Sequence, residues 1–267
     1  MISFRDLVSG FRQLGLEPNR PVIAHASLSS IGEVRGGAES VLGALLATSE
    51  TIVVPTFTPR CEIIPEVGPE DNAIAYGSGG DANRLADFFT PQTPAHPMMG
   101  MIAETLRRHP QATRTHHPLL SFAGIHAEEI LHAQTLDDPL APIRLLADQF
   151  GWVLLIGVGH SVNTSVHYAE QLAGRKQFIR WGLTPQGVRQ CAQYPGCSDG
   201  FDQAAPLLKE ITHQVTIGSA VVQAVPLESM IEILSQHLKA DPLALLCRRP
   251  DCERCAAVRR AAQTQTV

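Results

Sequence analysis

The stretch WVLLIGVGHSVNTSVHYAE, residues 152–170, decides the fold. It opens on an apolar run, Trp152–Gly157, with the length and composition of a buried strand. A glycine-rich turn follows, and Val162–Ala173 has helical spacing. Open α/β sheets are built from such strand–turn–helix units, and they place ligand chemistry at the carboxyl ends of their strands. On the helix, His167 and Glu170 stand three residues apart and share a face. A carboxylate beside an imidazole fixes its tautomer and raises its basicity. The same spacing also fits a solvated surface pair. It is not a zinc motif, because no second histidine stands at the metal-site spacing.

Outward from this segment, helical and strand patterns alternate, which predicts a mixed α/β single domain. Residues 2–16 read as an amphipathic helix, 21–26 (PVIAHA) as a strand, 38–48 as a helix and 51–57 (TIVVPTF) as a strand. Residues 58–98 are rich in proline, carry GSGG at 77–80 and are expected to hold one helix near 82–89. An irregular segment this long suggests a functional flap over an active site; the alternative is a surface excursion. Helices are then expected at 100–109, 127–133 and 143–150. The final third predicts a strand near 177–181, a helix near 203–214, a strand near 215–222 and a helix at 227–238. The tail AAQTQTV, 261–267, is expected to fray.

Composition narrows the function. The chain has 267 residues, 44% hydrophobic and 18% charged, with a net charge of −5. That is a globular balance with enough chain for a sizeable core. It lacks the basic surface that nucleic acid requires. No apolar run is long enough to span a membrane, and the charged N-terminal helix lacks a signal-peptide core. The cytosol is therefore expected, with the six cysteines reduced or bound to metal. Cys247, Cys252 and Cys255 stand in C-x4-C-x2-C spacing, and C-x2-C lets two thiolates reach one zinc ion. Cys197 is the first choice for a fourth ligand and Cys191 the second; reduced, buried thiols are the other reading.

Two more segments can carry chemistry. In HASLSSIGEVRGG, 25–37, His25 ends a strand, and serines and glycines crowd the turn before a helix. Such turns suit anions or a thioester arm, or simply cap the helix. In MGMIAETLRRHPQATRTHHPLLSF, 99–122, Arg107, Arg108 and Arg114 could meet phosphates, or could serve an exposed helix end.

Together with VVPTFT at 53–58 and LLIGVGHSVNTSVHYAE at 154–170, these segments, in this order, resemble the aminoglycoside 3-N-acetyltransferase family. The resemblance implies the antibiotic N-acetyltransferase fold, acetyl-CoA as donor, and an amine of an aminoglycoside's deoxystreptamine ring as acceptor. It implies His167, Glu170 and His25 as catalytic residues. Ser27, Leu28, Ser29, Ser30, Ile31, Gly32, Val34, Arg35, Gly36 and Gly37 would border the CoA, with Arg107, Arg114, Ser121 and Phe122. Thr56, Phe57, Glu104, Thr164 and Asp71 would face the acceptor. One departure stands out. Many members carry Ser-Pro-Leu before the strand at 152–157, and here the segment is DDPLAP, 137–142, with Asp138 in place of the serine.

Amide formation needs a base, because an aminosugar amine is mostly protonated at neutral pH. His167 oriented by Glu170 would serve, and oxyanion donors would come from the Ser27–Ser30 turn, Thr164, Ser165 or His25. Acidic side chains of the flap and Glu104 could attract a polycation. Three other readings stay open: an acetyltransferase for another small amine, a thioester hydrolase using Ser27, and a silent CoA-binding protein. No GxSxG elbow supports the hydrolase.

Overall fold

The computed structural model describes residues 1–264. In chain order the strands are β1 (Val22–Ala26), β2 (Ile52–Pro55), β3 (Glu62–Ile63), β4 (Ala112–Arg114), β5 (Phe122–Ile125), β6 (Trp152–Ile156), β7 (Phe178–Thr184), β8 (Gly187–Tyr194), β9 (His213–Ile217) and β10 (Ala220–Pro226). The helices are α1 (Phe4–Gln13), α2 (Leu28–Ile31), α3 (Gly37–Leu46), α4 (Gly80–Arg84), α5 (Gly100–Arg107), α6 (Glu128–His132), α7 (Ala141–Asp148), α8 (Ser165–Leu172), α9 (Ala205–Leu208), α10 (Leu227–Ala240) and α11 (Glu253–Thr264).

Seven strands form one sheet in the order β4-β5-β2-β1-β6-β10-β9. The central trio β2-β1-β6 is parallel, and its flanking neighbours β5 and β10 are antiparallel to it. Both faces are covered, so the central strands are apolar at every position except His25 of β1 rather than alternating. Val22, Ala24, Leu154 and Ile156 face a layer of α1, α3 and α5, represented by Phe11, Leu42 and Ile102. Ile23, Val153 and Leu155 face the opposite layer, with Ile143 of α7, Val166 of α8 and Leu234 of α10. A smaller sheet, β3-β7-β8, stands beside this sandwich.

Several elements depart from the sequence reading. The expected strand at 215–222 is a hairpin, because Gly218 adopts φ +60° and turns β9 back into β10. The helix expected at 203–214 breaks into short turns; Pro206 can only start a helix, which confines α9 to four residues. The helix expected near 82–89 is the shorter α4. Strand β8 and helix α11 were not anticipated. The polar sequence of α11 packs mainly through Cys255, Ala257 and Val258, so it shows little apolar stripe. Residues 261–264, expected to fray, continue α11, and the rest of that tail lies outside the described residues.

The segment 58–98 is docked on the small sheet. Glu62 and Ile63 pair with β7, Phe89 N–H donates to Leu183 O (2.9 Å), and the Asn72 side chain bonds both ways with the Ile179 backbone.

Two-sided burial predicts that Leu154→Ala and Leu155→Ala, neighbours pointing into opposite layers, each lose about 2–5 kcal/mol in urea unfolding. Val188→Ala, on the exposed side of β8, is expected to stay within about 0.5 kcal/mol. A small loss at either leucine would contradict the three-layer packing.

Candidate active site

Strands β1 and β6 pair in register from Val22↔Trp152 to Ala26↔Ile156, so both end at the same sheet edge. Ser27 N–H donates to Ile156 O (2.9 Å), continuing the ladder one step further. Gly157 then turns the chain at φ +64°, and an added Cβ would lie 2.4 Å from the Ser30 Cβ. Above this edge opens a cavity of about 820 Å³, the size of a small-molecule site. Its lining includes His25, Ser27, Phe57, Met99, Thr164 and His167.

His167 is 7% exposed and Glu170 2%. His167 Nδ1 lies 2.6 Å from Glu170 Oε2. The other carboxylate oxygen accepts from Arg175 Nη1 (2.6 Å). Arg175 Nη2 donates to the carbonyls of Pro242 (2.8 Å) and Ala244 (2.7 Å). Both carboxylate oxygens are thus satisfied, which a buried anion requires. The Phe201 ring packs edge-on against the imidazole, with centroids 4.7 Å apart. With Nδ1 committed to Glu170, Nε2 is the nitrogen left for chemistry in the cavity.

Two other histidines stand at this edge. Burial, and then the neighbouring His160, push His25 down to about 3. Its Nε2 has no hydrogen-bond partner among the described residues. Burial also lowers His160, opposed by Asp202. His160 Nδ1 lies 3.2 Å from the Asn163 side-chain amide, which donates to it. His25 is therefore neutral at working pH and lines the cavity as an uncharged group.

The structure divides the other anticipated residues. Leu28, Ser29 and Gly32 join Ser27 on the lining. Ser30 is turned beneath, donating to Ser27 Oγ (2.9 Å). Ile31 is core, Val34 bridges to Ile2, Arg35 N–H donates to Ile2 O (2.9 Å), and Gly36 and Gly37 start α3. These lie off the cavity. Arg107 is held by Glu104 through two bonds, 2.5 and 2.8 Å, and neither side chain reaches the lining. Arg114 donates to Thr56 O (2.7 Å), Pro91 O (3.1 Å), Thr93 O, Thr56 Oγ1 and Ser121 Oγ. A buried guanidinium must spend its donors internally: Arg114 ties 91–93 to Thr56 just after β2, Arg107 ties Glu104 to the carbonyls of Pro91 and Gln92, and neither, expected at the CoA phosphates, lines the cavity. Thr56 and Ser121 belong to that buried knot, and Phe122 stacks in the core against Phe57. Asp71 lies far off, paired with Lys176 and Arg260. Of segment 58–98, Pro97 and Met98 line the cavity and the acidic side chains expected there do not; Glu62 pairs with Arg180 and Asp81 with Arg84. Asp138 pairs with Arg144 (3.6 Å), away from the site.

Sequence reasoning missed Arg175, Asn163 and the wall built from 194–199 with Arg249 and Arg254. The Gly174–Arg175 turn directly after the helix of Glu170 was the available signal for Arg175. The cysteine expectation is met in space: the Cys197, Cys247, Cys252 and Cys255 sulfurs all lie within 4.8 Å of one another. Cys191 packs instead with Cys61, Phe89, Leu119 and Leu120.

A parallel-centred sandwich whose strand ends present an oriented imidazole to a ligand-sized cavity defines an α/β enzyme equipped for proton transfer. The family profile described as aminoglycoside 3-N-acetyltransferase matches residues 23–239. The chain belongs to that family. It is 31% identical over 211 residues to the prophage-derived aminoglycoside N(3')-acetyltransferase-like protein YokD of Bacillus subtilis, covering 71% of this chain and 73% of that one. It is 25% identical over 265 residues to aminoglycoside N(3)-acetyltransferase IV of Salmonella, covering 90% and 89%. The crystal structure of aminoglycoside acetyltransferase AAC(3)-IVa as apoenzyme superposes with TM-score 0.79, at 25% identity, covering 97% of this chain and 98% of that chain. No described helix is long and apolar enough to cross a membrane.

Arg114→Met is expected to lose at least about 3 kcal/mol in urea unfolding, since five acceptors lose a charged donor. The KM for acetyl-CoA should stay within twofold. A raised KM at unchanged stability would return Arg114 to phosphate binding.

His25 and His117 give a pH signature. Burial holds His117 down to about 4. Both folded values lie below the unfolded value of 6.5, so the unfolded chain takes up more protons between them. The stability these residues permit is complete above about pH 6.5 and is lost as pH falls toward 4. The expected loss is roughly 1.4 kcal/mol per pH unit for each histidine. Urea midpoints of wild type and of a His25→Gln/His117→Gln variant, compared between pH 6.5 and 5, check it; equal slopes would refute it.

Proposed function

We propose that this chain transfers the acetyl group of acetyl-CoA to the 3-amino group of an aminoglycoside, with His167 as general base. The carrying observation is the His167–Glu170–Arg175 relay at the cavity edge. The acceptor nitrogen attacks the thioester carbonyl, the C–N bond forms, and the C–S bond breaks to release CoA. Nε2 of His167 takes the proton the nitrogen must lose and can return it to the departing thiolate. Glu170 accepts the hydrogen bond of Nδ1–H and holds the tautomer that leaves Nε2 basic. The hydroxyl of Thr164, on the lining, is the side-chain donor for the developing oxyanion. Ser27 is a poor hydrolase nucleophile here, since its neighbours are serine hydroxyls rather than a base. A donor such as acetyl-CoA and unpaired thiols are both in keeping with the cytosol.

One observation favours a second acceptor class. The lining carries Arg249 and Arg254 but a single carboxylate, Asp199, among the described residues. A small amine with fewer positive charges suits such a wall better than a polycation.

Purified protein with acetyl-CoA and a panel of aminoglycosides and small amines, followed by thiol release, tests the proposal. Aminoglycoside-dependent release is expected. Release without any amine would mark a hydrolase, and tight CoA binding with no release would mark a binding protein. His167→Ala should slow transfer roughly 10²–10⁴-fold while CoA binding stays within about threefold. Turnover within a fewfold of wild type would remove the base assignment.

A further inference from the structure

The four clustered thiols belong to two chain segments that also form one wall of the cavity. Cys197 sits in the loop after β8, whose residues Tyr194 to Asp199 line the cavity. Cys247 and Cys252 precede α11 and Cys255 lies in its first turn; Arg249, Cys252 and Arg254 line the same wall. We propose that Cys197, Cys247, Cys252 and Cys255 bind one structural zinc ion, and that this ion fixes the wall against which the acceptor docks.

The donor set fits the metal. Tetrahedral zinc with Zn–S bonds near 2.3 Å places its sulfurs about 3.8 Å apart, and the four sulfurs here are mutually within 4.8 Å. Three of the cysteines are buried, in a small cluster with Phe178, Leu246 and Val258, and Cys197 is half-buried at its margin. Four thiolates around a dication leave two net negative charges, and the cations that answer them are present. Arg249 stands against Cys247 and Cys252 and pairs with Asp199 (2.9 Å). Arg259 donates to Cys247 O (2.7 Å), and Arg254 to Gly196 O (3.1 Å). Zinc binding displaces the thiol protons and involves no redox change.

Loops 194–199 and 246–252 have no strand pairing to each other; the Arg249–Asp199 pair, the contacts of Arg254 with Gly196 O and the Tyr194 ring, and a small apolar cluster join them. The metal supplies the firm link. That the wall serves the acceptor rests on the acetyl-transfer reading; that the thiols bind zinc does not.

Protein purified without an affinity metal is expected to hold about one equivalent of zinc by elemental analysis, retained through EDTA dialysis. An organomercurial should release it as four equivalents of the reagent cap the four thiolates. Less than about a tenth of an equivalent, or a disulfide among these cysteines, would overturn the site. Hydrogen exchange of holoprotein before and after release reads the wall: amides at 194–200 and 247–256 should speed up at least tenfold, and those at 152–170 should not. Unchanged exchange at the wall would overturn the clamp while leaving the zinc. Cys197→Ser, which removes the half-buried ligand, should lower zinc occupancy and raise the acceptor KM at least fivefold with kcat within threefold. If neither protein acetylates any amine, the function proposed above fails, while zinc content and exchange still decide this one.

Discussion

Parallel pairing of β1 with β6 is the constraint from which the site follows. Five registered residue pairs bring the ends of two strands, 130 residues apart in the chain, to one edge. That edge puts His25 beside His160 and starts the path to His167. Each strand must leave the sheet at once, because the other's exit occupies the adjacent space. Gly157 makes this feasible: it turns with positive φ, and a side chain there would strike Ser30 in the turn that follows β1. The two exits are therefore packed against one another, and a change in either displaces the other.

The site's electrostatics follow from burial. Glu170 is almost completely enclosed, and an isolated carboxylate there would cost several kcal/mol. Here His167 and Arg175 take one oxygen each. Arg175 in turn needs acceptors and finds the carbonyls of Pro242 and Ala244. The relay is thus anchored in the segment running into Leu245, Leu246 and Cys247. The same stretch reaches the other wall loop through Gln203, which donates to Leu246 O and Gly200 O. The end of the chain, poor in pattern and weak in helical signal, supports both the base and the cavity wall.

This explains what could be read from the sequence and what could not. The strand at 152–156 and the helix of His167 and Glu170 were legible because a buried strand, a glycine exit and an i,i+3 pair are local features. The cysteine set was legible in two steps: C-x4-C-x2-C is local, and Cys197, 50 residues before Cys247 and ranked ahead of Cys191, is the one the fold brings to the other three. Arg107 and Arg114 were misread because a sequence displays charge without displaying burial. Arginine at a surface is free for phosphate, whereas the same residue with carbonyls around it has no donor to spare. Gly36 and Gly37 misled similarly, since glycines before a helix serve a tight entry as well as an anion.

The same logic separates the roles of the three histidines at the edge. An imidazole can act as a base only where its protonated form is tolerated. His25 lies where burial and a neighbouring imidazole oppose protonation, and nothing among the described residues accepts from its Nε2. His160 is buried too, with the carboxylate of Asp202 near enough to soften the effect but with its Nδ1 occupied by Asn163. His167 alone of the three has a carboxylate in direct contact, 2.6 Å from the nitrogen that faces away from the chemistry. Its Nδ1 thus has a carboxylate partner already in place and already held by Arg175. In the proposed acetyl transfer, this preorganised contact suits His167, rather than His25 or His160, to the role of base.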